Sequence, residues 1–166
     1  MRAEYEKVTH PFDPVFSSES RVLILGSFPS VKSRENEFYY GHPRNRFWPM
    51  LAVIFGVEVP LTIVEKKKMI FGHSLALWDV IRSCDISGSS DGSIRNAEIN
   101  DIPSLISQSR VERILCNGKM AYKLYERYAY PMTGIRAEAM PSTSPANAGI
   151  SLDRLVEIWG EKIKVG

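Results

Sequence analysis

Long apolar runs are absent. No stretch of the 166-residue chain approaches the ~20 consecutive apolar residues that a membrane-spanning helix requires. The charged opening MRAEYEK also lacks the succession of a secretion signal. The expected compartment is the cytoplasm, with no membrane partner. Cysteine is scarce: Cys84 and Cys116 stand far apart and no CxxC occurs. That excludes a disulfide framework and a four-cysteine zinc or iron-sulfur centre, and predicts two reduced thiols. A large charge of one sign is missing too, since 21 Lys and Arg face 19 Asp and Glu for a formal charge of +2. Such a balance is compatible with a nucleic-acid partner but does not demand one. With 44% hydrophobic and 24% charged residues the composition is that of a folded globular chain. The length predicts one domain over residues 1–166, and there is no internal repeat.

Apolar patterning predicts strands alternating with helices. Residues 22–25 form a short continuous apolar run halted at Gly26, as in a strand buried on both faces. From near Arg46 a helix is predicted with Phe47, Leu51, Ile54 and Phe55 on one face and Gly56 at its end. Thr62 and Glu65 have capping-box spacing at the head of a second helix closing at Gly72. Lys66, Lys67 and Lys68 within it read as a solvated turn. Residues 75–81 read as a second strand, residues 87–93 as an exposed loop, and Ile102, Leu105 and Ile106 as a helix capped by Asn100 or Asp101. A third strand, residues 113–116, ends at Asn117-Gly118, and Ala121, Leu124, Tyr125 and Tyr128 follow at helical spacing. Residues 135–140 give a fourth strand, and Ser151 caps a last helix that buries Leu152, Leu155, Val156, Trp159 and Ile163. The alternation predicts an α/β fold with a mainly parallel sheet covered on both faces. Ligands of such sheets lie beyond the carboxyl ends of the strands. Residues 26–30, 117–118 and 141–147 are expected to converge there.

Several enzyme patterns are missing from those segments. Gly26-Ser27-Phe28-Pro29-Ser30 is neither a dinucleotide GxGxxG nor a GxxxxGK[ST] loop. His10, His42 and His73 form no HExxH, and no GxSxG elbow occurs. What remains is the 26–30 segment, then Phe38-Tyr39-Tyr40-Gly41-His42-Pro43-Arg44-Asn45-Arg46-Phe47-Trp48, then Asn117-Gly118-Lys119, then Met140-Pro141-Ser142-Thr143-Ser144-Pro145. Taken in this order, the set resembles the uracil-DNA glycosylase superfamily. Within it the set is most like the hypoxanthine-DNA (deoxyinosine) glycosylase branch, related to the mismatch-specific uracil/thymine enzymes. The resemblance implies a three-layer αβα sandwich with a four-stranded sheet, an extrahelical base held at the strand ends, and neither metal nor organic cofactor. It also implies monofunctional hydrolysis of the N-glycosidic bond of a deaminated base in DNA, foremost hypoxanthine, in base excision repair. The alternatives are a mismatch-specific uracil/thymine glycosylase and a module that binds a damaged base without cutting.

One departure from the pattern directs attention to the second motif. Mismatch-specific relatives carry a water-positioning Asn where this chain has Phe28, whose side chain cannot hydrogen-bond water. Asn45 is the leading substitute as catalytic residue. Its simpler reading is the N-cap of the helix at Phe47, worth about 1 kcal/mol. His42 is the second catalytic candidate, as a proton donor to the leaving group, or else a loop-structuring residue. Phe28, Tyr40 and Asn117 are assigned to base binding, Tyr40 by stacking at about 1–3 kcal/mol per base. Asn117, otherwise a turn residue before Gly118, would read the base. Uracil O4 with N3–H and hypoxanthine O6 with N1–H both set an acceptor beside a donor, whereas cytosine and adenine present the reverse. Ser27, Ser30 and Ser142, with Arg44 and Arg46, are assigned to DNA binding as phosphate contacts. Pro141, Ser142, Thr143 and Ser144 resemble the loop that enters the minor groove in the family, with Ser144 and Ala146 in place of its bulky wedge and basic positions. The resemblance implies double- or single-stranded DNA as the partner, and a monomer is expected. Phosphate contacts release counterions, so affinity for DNA should fall as salt rises in a fluorescence-anisotropy titration. A flat response would exclude DNA as the partner.

Overall fold

The computed structural model describes residues 6–9, 13–28, 38–86 and 95–164. Ser30 and the expected loop of residues 87–93 lie outside the described residues. The apolar run at residues 22–25 becomes the spine of the molecule. Strand β2 (Val22–Gly26) is buried throughout and runs between β3 (Leu75–Asp79) and β6 (Arg113–Asn117), while β7 (Ala137–Met140) pairs with β6. The four-stranded order is β3-β2-β6-β7, and every pairing is parallel.

A strand sends alternate side chains to opposite faces, and β2 therefore anchors two cores. Val22 and Ile24 pack in one cluster with Phe47, Met50 and Leu51 of α1 (Phe47–Phe55), Ile70 of α2 (Ile63–Gly72), and Leu155 and Trp159 of α6 (Leu152–Ile163). Leu23 and Leu25 pack in the other with Ile102 and Leu105 of α3 (Ile102–Ser107) and Ala121 of α4 (Lys119–Leu124). Each fully buried side chain of this kind contributes about 1.5–3 kcal/mol. The three-layer αβα arrangement agrees with the expected fold class. Among the described residues, no helix is long and apolar enough to cross a membrane.

Local signals set most helix boundaries. Gly56 adopts the left-handed conformation after α1. The Thr62 Oγ1 accepts the Glu65 N–H at 3.1 Å, and the Ser151 Oγ accepts the Arg154 N–H at 3.1 Å. Of the two candidates at α3, Asp101 is the cap, accepting from the Ser104 N–H at 3.2 Å. After α4 the chain widens into a π-turn (Tyr125–Ala129) and ends in α5 (Tyr130–Thr133).

The strand expected over residues 75–81 is in fact two. It breaks at Val80, and β4 (Ile81–Ile86) joins a second, antiparallel sheet of order β1-β4-β5 with β1 (Glu6–Thr9) and β5 (Arg95–Ile99). Asn100 explains the break. Its buried side chain donates to the carbonyls of Asp79, at 2.8 Å, and Ile81, at 3.3 Å, on either side of Val80, and its own N–H donates to the Val80 carbonyl at 2.9 Å. The carbonyls of the departing backbone are thus satisfied by one residue, while the Val80 and Ile81 N–H groups still donate to the Gly26 and Ser27 carbonyls at 2.8 and 3.1 Å. Asp79 becomes the last residue of a central strand.

Helix α6 reaches the strand ends through Trp159. The fully buried indole stands edge-on to Phe47 at 6.3 Å and donates to the Pro141 carbonyl at 3.0 Å. Trp159→Phe keeps an aromatic body but leaves that carbonyl without its donor, an expected cost of about 1–3 kcal/mol in urea unfolding. An unchanged midpoint would show that α6 does not hold the 141–147 segment.

Candidate active site

Gly26, Asp79, Asn117 and Met140 close the four parallel strands on one edge of the sheet. The segments 117–118 and 141–147 meet there as expected: the Gly118 N–H donates to the Met140 carbonyl at 3.0 Å. Gly118 has φ 99°, and a Cβ on it would touch the Ser142 Cβ at 3.4 Å, so both its conformation and its contact favour glycine. The segment around Asn45 joins them, because the Arg46 N–H donates to the Thr143 carbonyl at 3.1 Å.

A directional chain of hydrogen bonds links Asn117, Thr143 and Asn45. Backbone N–H groups can only donate, and two of them fix the side-chain amides. The Thr143 N–H donates to Asn117 Oδ1 at 3.0 Å, and the Phe47 N–H to Asn45 Oδ1 at 2.9 Å. With its oxygen so assigned, Asn117 donates from Nδ2 to Thr143 Oγ1 at 3.0 Å. The Thr143 hydroxyl then has one proton left, and it goes to Asn45 Oδ1 at 2.8 Å. Asn45 Oδ1 thereby accepts two hydrogen bonds, its full lone-pair complement. Its Nδ2 has no partner among the described residues. Arg46, not Asn45, is the N-cap residue of α1, and its side chain makes no capping bond; Asn45, one residue earlier, still satisfies the Phe47 N–H, while its amide nitrogen remains available.

A second group of residues surrounds Gly26. The Asp79 carboxylate is buried against it so closely that a Cβ there would lie 2.3 Å from Asp79 Oδ1 and 3.5 Å from the Tyr40 hydroxyl. Tyr40 adopts the left-handed region at φ 54°, a strained conformation for a bulky residue. Its ring stacks on Phe47 with centroids 4.1 Å apart. The hydroxyl is buried without a hydrogen-bond partner among the described residues, a state that costs about 1–3 kcal/mol and commonly marks a functional position. Burial, and next the nearby Asp79 charge, push the phenol well above its ordinary pKa, while the Asn117 amide, close to the hydroxyl though outside hydrogen-bond geometry, pulls the other way. The phenol is therefore neutral and can donate. Asp79 was not among the expected site residues. An acidic side chain closing an apolar strand was the available signal.

The other expected residues are placed as follows. His42 forms a tight turn, its Nδ1 accepting the Arg44 N–H at 3.0 Å and its carbonyl the Asn45 N–H at 2.9 Å, which assigns the neutral ring proton to Nε2. Arg44 is exposed and Ser27 buried. Phe28 is buried beside Ile81 and Cys84, in a cluster separate from the two main cores. Arg46 bonds the Ile150 carbonyl and donates to those of Asn147, at 2.9 Å, and Ser144, at 3.2 Å. Pro141 is half-buried and Thr143 fully buried. Ser142 Oγ accepts the Ser144 N–H, and Ser144 Oγ the Ala146 N–H, both at 3.1 Å. Each serine keeps its own hydroxyl proton for a further acceptor.

The family model described as the Uracil DNA glycosylase superfamily matches residues 14–161. A protein of Methanosarcina acetivorans named Hypoxanthine DNA glycosylase is 35% identical over 145 residues, 86% of this chain and 90% of that one. One of the same name from Methanosarcina barkeri is 32% identical over 155 residues, 92% of this chain and 96% of its own. The solution NMR structure of a candidate uracil DNA glycosylase from Methanosarcina acetivorans superposes with a TM-score of 0.79 at 32% identity, covering 92% of this chain and 94% of that chain.

Arg46 provides a test of how the loop is held. Arg46→Lys keeps the charge but loses the planar fork that reaches three carbonyls. Stability should fall by about 1–3 kcal/mol, and amide exchange over residues 144–150 should quicken, with little change in the salt slope of DNA affinity. An Arg46→Gln variant with an unchanged melting temperature and a shallower slope would instead make Arg46 a phosphate contact.

Proposed function

The chain belongs to the uracil DNA glycosylase superfamily and is a DNA glycosylase, and on that premise we propose that it hydrolyses the N-glycosidic bond of deoxyinosine in DNA, releasing hypoxanthine and leaving an abasic site. It acts in this reading as a monofunctional, cytoplasmic monomer of one domain, on double- or single-stranded DNA. The observation that carries the proposal is the tethered Asn45 amide, which lies two hydrogen bonds from Asn117 at the strand ends and has an unpartnered NH2 among the described residues. The names of the Methanosarcina relatives support the choice of base.

The chemistry suits such a group. As the bond to the base lengthens, C1′ of the sugar gains cationic character and the base gains negative charge. Water then adds to a carbon that is already electron-poor and needs placement more than deprotonation. The Asn45 NH2 would donate to that water's oxygen, leaving a lone pair to attack C1′; the C–O bond forms as the C1′–N9 bond breaks, and the proton the added water sheds passes through solvent to the departed hypoxanthine anion. On the other side, charge on the departing base is stabilised by fixed donors. Asn117 has one N–H beyond that given to Thr143. Donated to O6 of hypoxanthine it is satisfied, whereas opposite the 6-amino group of adenine it faces another donor. The Tyr40 hydroxyl is the nearby neutral donor. The Ser142 and Ser144 hydroxyls and Arg44 are suited to backbone phosphates.

Purified protein would be incubated with labelled duplexes containing deoxyinosine, uracil or thymine, and abasic sites opened with alkali. Breaks should appear first at deoxyinosine. Breaks confined to uracil or thymine would transfer the assignment to the mismatch-specific activity, and binding without breaks would make the chain a non-catalytic module. Asn45→Ala should lower kcat by about 100-fold or more at a folding cost of about 1 kcal/mol. A variant that loses stability but keeps its kcat would reduce Asn45 to a structural residue at the head of α1.

A further inference from the structure

We propose that Thr143 is a positioning residue whose hydroxyl locks Asn45 with its amide nitrogen toward the substrate and couples it to Asn117. The inference rests on the reading of Asn45 as the water-placing group and deepens it. Thr143 is fully buried, so its side chain is not disposed to meet a phosphate. Every polar atom it has is accounted for: the N–H goes to Asn117 Oδ1, the carbonyl accepts from the Arg46 N–H, and the hydroxyl accepts from Asn117 and donates to Asn45.

The hydroxyl cannot be replaced by shape alone. A hydroxyl that receives Asn117 Nδ2–H must turn its own proton elsewhere, and the acceptor within reach is Asn45 Oδ1 at 2.8 Å. Without that proton, one lone pair of Asn45 Oδ1 is released, and the Phe47 N–H alone holds the amide. The side chain can then swing about its bond to the backbone and misplace the water. The opposite end of the chain has a parallel consequence. Thr143 engages the oxygen and one N–H of Asn117 together, through its own N–H and hydroxyl, so the edge of that amide that could pair doubly with a base is occupied. Asn117 therefore meets a base through a single remaining N–H, and the fit of that contact reaches Asn45 through the Thr143 hydroxyl.

Thr143→Val preserves volume and removes the hydroxyl, and Thr143→Ser restores the hydroxyl while losing a methyl group. Both are measured in single-turnover and steady-state assays on whichever deaminated-base duplex the wild type cuts. The substrate assignment can then fail without affecting this test. Thr143→Val should lower kcat about 10- to 100-fold with KM within about twofold, because the lost group acts on placement of the nucleophile and not on DNA binding. Thr143→Ser should return kcat to within about threefold of wild type. A Val variant with normal kcat below its melting temperature, or a Ser variant as slow as the Val one, overturns the proposal. So does an Asn45→Ala variant with normal kcat, which removes the catalytic reading as well; a slow Asn45→Ala beside a normal Thr143→Val sinks the present inference alone. Should the Val variant not fold, the wild type decides by NMR. A Thr143 hydroxyl proton protected from exchange and in nuclear Overhauser contact with the Asn117 side-chain NH2 is expected, and a freely exchanging one contradicts it.

Discussion

Two backbone N–H groups, those of Phe47 and Thr143, decide how the candidate active site can be wired. A carboxamide is nearly symmetric in shape but not in chemistry, and either end can be turned toward a substrate. Here each oxygen faces an obligate backbone donor, at 2.9 Å for Asn45 and 3.0 Å for Asn117. Thr143 then has a single consistent hydroxyl orientation, and the nitrogen of Asn45 becomes the group left over. The rest of the fold holds those two N–H groups still. Phe47 opens α1, is fully buried, and stacks beneath Tyr40. Thr143 lies in a loop bounded by the Trp159 contact to Pro141 and the Arg46 contacts to Ser144, Asn147 and Ile150.

The titratable groups at the strand ends favour neutral donors over nucleophiles. The Tyr40 phenol is held protonated by burial and by Asp79. The Cys116 thiol, one residue before Asn117, is pushed up to about 12 by burial and next by Glu126, which makes it a packing residue and not a reactive thiolate. A site of this character suits a dissociative hydrolysis, in which a base departs as an anion and water adds to a sugar cation. A displacement led by a strong nucleophile would need a different set of groups. Asp79 is the ionisable exception, packed against Gly26 and close to Tyr40, and its charge makes the phenol hold its proton more firmly.

The two central strands, β2 and β6, were legible because they are short apolar runs that end at Gly26 and Asn117, and burial on both faces leaves no other pattern. Caps at Thr62, Asp101 and Ser151 were legible for the same local reason. The second sheet was not. Strand β5 reads Arg-Asn-Ala-Glu-Ile with three of its five residues exposed, so its pairing is carried by backbone groups that hydropathy does not register. The end of β3 was missed because the break at Val80 depends on Asn100, 21 residues beyond Asp79 in the chain. At the site, motif resemblance singled out Asn45 and Asn117, but which amide atom faces outward is set by a contact spanning 98 residues, from Thr143 to Asn45. Residue identity can be read along a chain, whereas hydrogen-bond direction follows only from the fold.

The most direct measurement of the account is a crystal structure of the wild-type protein on DNA carrying 2′-fluoro-deoxyinosine, whose glycosidic bond resists cleavage. A water is expected within hydrogen-bond distance, about 3 Å, of Asn45 Nδ2 and in line with C1′, with Thr143 still joining Asn45 to Asn117. A water in line with C1′ that is held by other groups, with the Asn45 amide turned away, would contradict it.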